Sequence, residues 1–280
     1  MESKRELALL LRCGLVLVLI LSRISGREFN PYADNGGTIV GVAGKGYVIL
    51  ASDTRLSDGY VIRSRSINRL VELDPERLLF AASGCWSDAC GLVKVLEAEM
   101  DAHKWDSANR RPFSVHALAH LLSMTLYNRR VFPYYSLCVV AGIDDETRDG
   151  ALYRYDSIGS FERVQATCAG KGEQLIQPML DEATKMEESL ATWTIAPSGD
   201  AFLSSPVRHN LGVEAACDLV VRAFRSASER EITVGDGVEL LILSEKRLPD
   251  GPLEDPDSSG GKRNLKKSHS TRRFCFLPKH

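Results

Sequence analysis

The densest chemistry in the chain lies at Asp53, Thr54 and Arg55, where a carboxylate, a hydroxyl and a guanidinium stand side by side. They close residues 35–58, in which Ile39, Val40 and Val42 lead into a Gly44-Lys45-Gly46 turn and Tyr47, Val48, Ile49 and Leu50 lead out. Near-continuous apolar runs suit strands buried on both faces, and glycine gives a tight hairpin the positive φ it needs. A site could be built where that second strand ends. Other chemical patterns are weaker. His116 and His120 lie four apart on a helical stretch and could share a metal, but no third ligand is suggested and His-Glu-x-x-His is absent. They read as ordinary helix-surface histidines, with no metal. Ala169-Gly170-Lys171-Gly172 precedes a helix but lacks the Gly-Lys-Ser/Thr ending of a phosphate loop, and Glu173 would repel phosphate. No Gly-x-Ser-x-Gly nucleophile elbow occurs. No cofactor is expected.

The elements that must hold such a site alternate in blocks. After the opening hairpin, residues 60–66 and 70–73 read as short strands, and 78–82 as a buried strand closing at Ser83-Gly84. Helical spacing follows over 86–103, with Leu92, Val95, Leu96 and Met100 on one side, and again over 114–128, with Ser114 as cap. Strands are expected at 136–141, 151–155 and about 163–168, a third helix from about 172 to 186, and an amphipathic fourth over 213–229. Residues 238–244 form the closing strand, and 187–210, with weak periodicity and two prolines, read as a surface insertion. Segregated blocks of strands and helices indicate an α+β fold with sheets stacked centrally and helices outside.

The chain has 280 residues, 44% of them hydrophobic, which is ample for one sizeable core. A net charge of −2 gives no reason to expect nucleic acid or an acidic membrane as partner. Seven scattered cysteines with no Cys-x-x-Cys fit buried, reduced thiols of a cytosolic or nuclear protein. The N-terminus pulls the other way. Lys4 and Arg5, the apolar run 7–21 and then Ser-Arg-Ile-Ser-Gly have the order of a secretory signal. That run gives about 22 Å of helix against about 30 Å of hydrocarbon, and Arg12 interrupts it. At the other end, residues 248–261 are rich in Pro, Asp, Ser and Gly, and 262–280 are basic throughout, so 248–280 reads as a disordered acidic-then-basic tail.

Several pieces, in order and at consistent spacing, resemble proteasome β subunits. They are Phe29-Asn30-Pro31-Tyr32, Asn35-Gly36-Gly37-Thr38-Ile39, Ala51-Ser52-Asp53-Thr54-Arg55-Leu56-Ser57 and Arg129-Arg130-Val131-Phe132-Pro133-Tyr134-Tyr135. Residues 151–160, Ser226-Ala227-Ser228-Glu229-Arg230 and Gly235-Asp236-Gly237 complete the set, which is nearest to the non-catalytic member at the sixth β position. The resemblance covers about 29–245. It implies the four-layer αββα sandwich of N-terminal-nucleophile hydrolases, a β-subunit domain over 29–247 and, as an alternative to a signal, a removable propeptide over 1–28.

The resemblance also implies a chemistry, and this chain departs from it. Active members use a threonine hydroxyl as nucleophile and its own α-amine as general base, with a lysine, an aspartate, an Asp-x-x-Ser pair and a glycine-flanked serine around it. Asp53 matches the aspartate, but the threonine becomes Gly36, the lysine Arg69, the glycine-flanked serine Lys171, and the Asp-x-x-Ser pair Glu231 and Val234. Asp53, Arg55 and Arg69 are then expected to persist as a structural ion-pair cluster. The implied function is that of a non-catalytic subunit of the 20S core particle, a threonine-protease assembly of ubiquitin- and proteasome-dependent proteolysis in cytoplasm and nucleus. Its partners would be other β subunits of the same and the opposite ring, α-ring subunits and the particle's protein substrates, with no nucleic acid and no membrane. Two alternatives stay open: an active threonine peptidase using Thr38, and a secreted or membrane-tethered α+β domain.

Overall fold

A computed structural model of the chain describes residues 32–74, 77–105, 112–188, 211–244 and 270–277, apart from the side chains of 184–188, 270 and 271. The chain divides after Ala33, and the architecture is that of the second unit, which starts at Asp34. β1 (Thr38–Gly44) and β2 (Tyr47–Asp53) form the anticipated hairpin around Lys45-Gly46, with Gly46 at φ 73°. Every residue of both strands is buried, because the sheet they open is covered on both faces.

Side-chain alternation shows what covers it. On β2, Tyr47, Ile49 and Ala51 enter one core while Val48 and Leu50 enter another. The first core is completed by Ile176 and Leu180 of α3 (Glu173–Glu188) and by Cys217, Val220 and Phe224 of α4 (Val213–Ser228). The second lies between two sheets, where Leu50 and Ile39 meet Leu79 and Ala81 of β6 (Leu78–Gly84) and Val139 of β7 (Ser136–Ile143). On the far face of that second sheet, Phe80, Val140 and Tyr155 pack against Leu92 and Leu96 of α1 (Trp86–Trp105) and Leu118 and Leu122 of α2 (Val115–Tyr127). The result is four layers, helix–sheet–sheet–helix, as the resemblance implied. Ser114 caps α2 as anticipated, its hydroxyl accepting from the Ala117 amide at 3.1 Å.

Strand order is β10-β1-β2-β11-β12 in one five-stranded sheet and β5-β6-β7-β8-β9 in the other. Here β5 is Leu70–Asp74, β8 Gly150–Tyr155, β9 Phe161–Val164, β10 Ala166–Gly170, β11 Gly237–Ser244 and β12 Ser270–Phe276. Three expectations change. The strand read over 60–66 is shorter: β4 (Val61–Ser64) pairs only with β3 (Leu56–Asp58), as a separate hairpin. The single strand read over 163–168 is two, and the chain crosses from one sheet to the other at Gln165, whose carbonyl accepts from the Ala43 amide. The third concerns the C-terminus. Residues 238–244 do not close the sheet, because β12 pairs along β11 from Gly237↔Phe276 to Leu243↔Ser270. The expectation of a disordered basic tail therefore fails over 270–277.

The reason is local. Cys275 and Leu277 point into the buried side. The Arg273 guanidinium donates from Nη1 and Nη2 to Glu214 at 2.6 and 2.8 Å, and that of Arg272 to Glu239 at 2.6 Å and Glu72 at 3.1 Å. The tail's positive charge meets carboxylates of the domain. The N-terminal segment 1–28, the insertion read over 187–210 and the Pro/Asp/Ser/Gly-rich stretch 248–261 lie outside the described residues, save 187 and 188 at the end of α3. Among the described residues no helix is long and apolar enough to cross a membrane.

Candidate functional site

The hairpin brings the start of β1 beside the end of β2. Ile39 pairs with Ser52, so the Thr38 amide reaches the Asp53 side chain and donates to Oδ1 at 2.8 Å. Asp53 is fully buried. The second charge arrives from the other sheet, because Arg69 immediately precedes β5. Its Nε lies 3.6 Å from Asp53 Oδ1, and Nη2 donates to the Arg55 carbonyl at 2.5 Å and the Asn35 carbonyl at 3.4 Å. The guanidinium carbon stands 5.9 Å from the centre of the Trp86 ring, a cation–π contact.

Burial dominates the electrostatics of this pair. It pushes the Asp53 carboxyl up to about 6, against the pull of Arg69, the Thr38 amide, Arg55 and the Gly235 amide. Burial likewise draws Arg69 below its ordinary value, with Asp53 opposing. Asp53 Oδ2 and Arg69 Nε find no hydrogen-bond partner among the described residues. Two desolvated charges in imperfect geometry are costly to hold and costlier to split.

The other residues singled out in the sequence fall around this pair rather than in it. Gly36 and Gly37 enter β1 at φ 66° and 89°, a left-handed course that glycine adopts freely. A Cβ on Gly36 would stand 2.7 Å from Ser57 Oγ and 3.2 Å from Thr233 Cβ. A Cβ on Gly37 would stand 2.2 Å from Arg69 Nε. The position whose side chain would face the charged pair is thus Gly37, one residue beyond Gly36. The resemblance matched the threonine to Gly36, one residue short of this position, because two adjacent glycines carry no side chain to mark the inward one.

Lys171 follows β10 and turns outward, its Nζ 2.5 Å from Asp34 Oδ2, while its amide donates to the Gly37 carbonyl at 3.1 Å. The bond to Asp34 raises the Lys171 ammonium above its ordinary value, so the lysine stays charged. Glu231 Oε1 accepts from the amide and hydroxyl of Thr233 at 3.1 and 2.8 Å, closing a local turn. Val234 is buried in the core beneath α4. Arg55 leaves the expected cluster, donating from Nε to Asp236 Oδ2 at 2.8 Å and from Nη1 to the Ile232 carbonyl at 2.7 Å. Thr38, the alternative nucleophile, is fully buried, and its hydroxyl accepts from the Gly172 amide at 2.9 Å. Its nitrogen, the base such a mechanism would need, is a peptide amide already donating to Asp53.

The two helix histidines have separate partners. His116 meets Tyr153 Oη at 2.5 Å and Asp144 Oδ2 at 3.2 Å, whereas His120 packs edge-on against Phe161. Chemically, then, the strand-end site offers a buried carboxylate, a buried guanidinium and a glycine where a nucleophile would face them.

A four-layer helix–sheet–sheet–helix sandwich, with the start of its first strand fastened to a buried carboxylate at the end of the second, is the fold of the N-terminal-nucleophile hydrolase class. Within that class, the family model described as proteasome subunit matches residues 33–194. The chain is 38% identical over 217 residues to proteasome subunit beta type-1 of Petunia hybrida, covering 78% of this chain and 91% of that one. It is 39% identical over 216 residues to the beta type-1 subunit of Arabidopsis thaliana, covering 77% and 91% of the two chains. It is 36% identical over 217 residues to proteasome subunit beta type-6 of Saccharomyces cerevisiae, covering 78% and 86%. This chain belongs to the proteasome subunit family.

Proposed function

We propose that this chain is a non-catalytic β subunit of a 20S proteasome core particle, of the beta type-1 kind at the sixth β position. One observation carries the reading: Gly37, which has no hydroxyl, is the residue that faces the Asp53–Arg69 pair. An arginine there cannot exchange protons at any working pH as a lysine can. Lys171 and Glu231, which stand for a serine and an aspartate, are engaged with Asp34 and Thr233. The chain would contribute walls and contacts to a threonine-protease assembly that degrades proteins in the ubiquitin–proteasome system of cytoplasm and nucleus. Its partners would be β subunits of its own and the opposite ring and subunits of the α ring. Residues 1–28 would be a removable segment ahead of a domain over 29–247. With no hydroxyl at 37, removal falls to a neighbouring active subunit.

The test is isolation of the tagged chain from its own cells, followed by native mass spectrometry. A complex of the core particle's mass, carrying this chain cut ahead of Asn35, is the expected result. Recovery as a free monomer, or as secreted material, would overturn it. Cleavage immediately before Thr38 would favour the peptidase reading instead.

A further inference from the structure

We propose that Arg69 is a strap that locks the first-strand site shut, and that glycine at 37 and arginine at 69 are a matched pair. This deepens the function proposed above and rests on it for the particle in which it is tested. The guanidinium occupies the space a side chain at 37 would need, with Nε 2.2 Å from the Cβ position. Long side chains usually swing away from such a clash. This one is held, since Nη2 donates to the Arg55 and Asn35 carbonyls and the head group lies beside Asp53 and Trp86. Retreat would leave Asp53 buried without its counter-charge.

The backbone cannot retreat either. The Gly36 amide donates to Asp34 Oδ1 at 3.0 Å, and the Gly36 carbonyl accepts from Gly84 at 3.2 Å. The Gly37 carbonyl accepts from Lys171 at 3.1 Å, and the Thr38 amide is bound to Asp53. Every peptide group around the glycine is fastened. Arg69 therefore does two things: it fills the empty nucleophile position, and through the Asn35 carbonyl it fixes the chain that enters β1. A side chain bearing a hydroxyl could return to 37 only after 69 had changed.

A double-mutant cycle in the assembled particle tests this. Whole chains carrying Gly37→Ala, Arg69→Lys or both are expressed beside the unaltered chain, and quantitative mass spectrometry reads the ratio incorporated. Amide hydrogen exchange over residues 35–38 is measured on the purified particles. The strap predicts that Gly37→Ala lowers incorporation about tenfold more beside Arg69 than in the Arg69→Lys background. The strain of a side chain at φ 89° is present in both backgrounds and cancels in the cycle. Arg69→Lys alone should speed exchange at 35–38. Equal losses in both backgrounds, or unchanged exchange, would overturn the strap. If the unaltered chain fails to incorporate, the subunit reading falls. The same cycle, read as thermal midpoints of the whole chain alone, then decides the strap.

Discussion

Asp53 shows how one buried residue can be read from sequence in type and missed in company. Its place at the end of an apolar strand marked it as a site residue, and the structure puts it against Thr38 and Arg69. Sequence did not show that Arg55, its near neighbour in the chain, would turn to Asp236 instead, because that contact spans 181 residues. It also assigned the missing threonine to Gly36 instead of Gly37, since two adjacent glycines leave no side chain to mark the inward one. The charge state of Asp53 gives a test. Its folded carboxyl sits at about 6, above the ordinary 3.8, so the folded state holds the proton more tightly than the unfolded one. The burial penalty is present in full above that value and is relieved as pH falls from about 6 toward 3.8. Asp53→Asn removes this term while keeping an acceptor for the Thr38 amide. Lowering the pH from about 7 to about 5 should stabilise the unaltered chain relative to the variant by about 1 kcal/mol. The check is the difference between their thermal midpoints across that range, and a gap that does not vary with pH would count against a neutralisable Asp53.

At the scale of elements, periodicity did most of the work. The helix over 213–229 and the cap at Ser114 are found where spacing put them, because both signals are local. What sequence could not show was which strands share a sheet. The chain crosses between sheets within one residue at Gln165, and no periodicity marks a change of partner. The C-terminal strand was hidden for another reason. Judged by composition over 262–280, it is a basic tail; judged over 270–277, it alternates, with Arg273, Cys275 and Leu277 buried. Truncation after residue 269 should therefore expose the edge of β11 and part of the core under α4, and the chain should be lost from the particle. Glu214→Ala, which leaves the Arg273 guanidinium without its carboxylate, should cost about 1 kcal/mol in unfolding free energy. Both are read by incorporation and thermal melting, and a truncated chain that assembles normally would show that β12 is dispensable.

At the scale of the whole molecule, the four layers explain how the domain holds its form with a glycine at the strand-end site. The cores that fix β1 and β2 are built from apolar side chains of both sheets and of the helices α3 and α4, and neither includes a side chain at 37. The order and spacing of the motifs already pointed to the family, and the comparisons bear that out over 217 of the chain's residues. The emptied site is the part that needed coordinates, because it is defined by what faces Arg69 and not by what precedes Asp53. The most direct measurement is covalent labelling of the isolated particle with a threonine-directed electrophile, followed by mass spectrometry of each subunit. The account predicts label on the particle's active subunits and none on this chain, read per copy incorporated, in the unaltered protein and in Gly37→Thr alike. Label on this chain, at Thr38 or at a threonine introduced at 37, would contradict it.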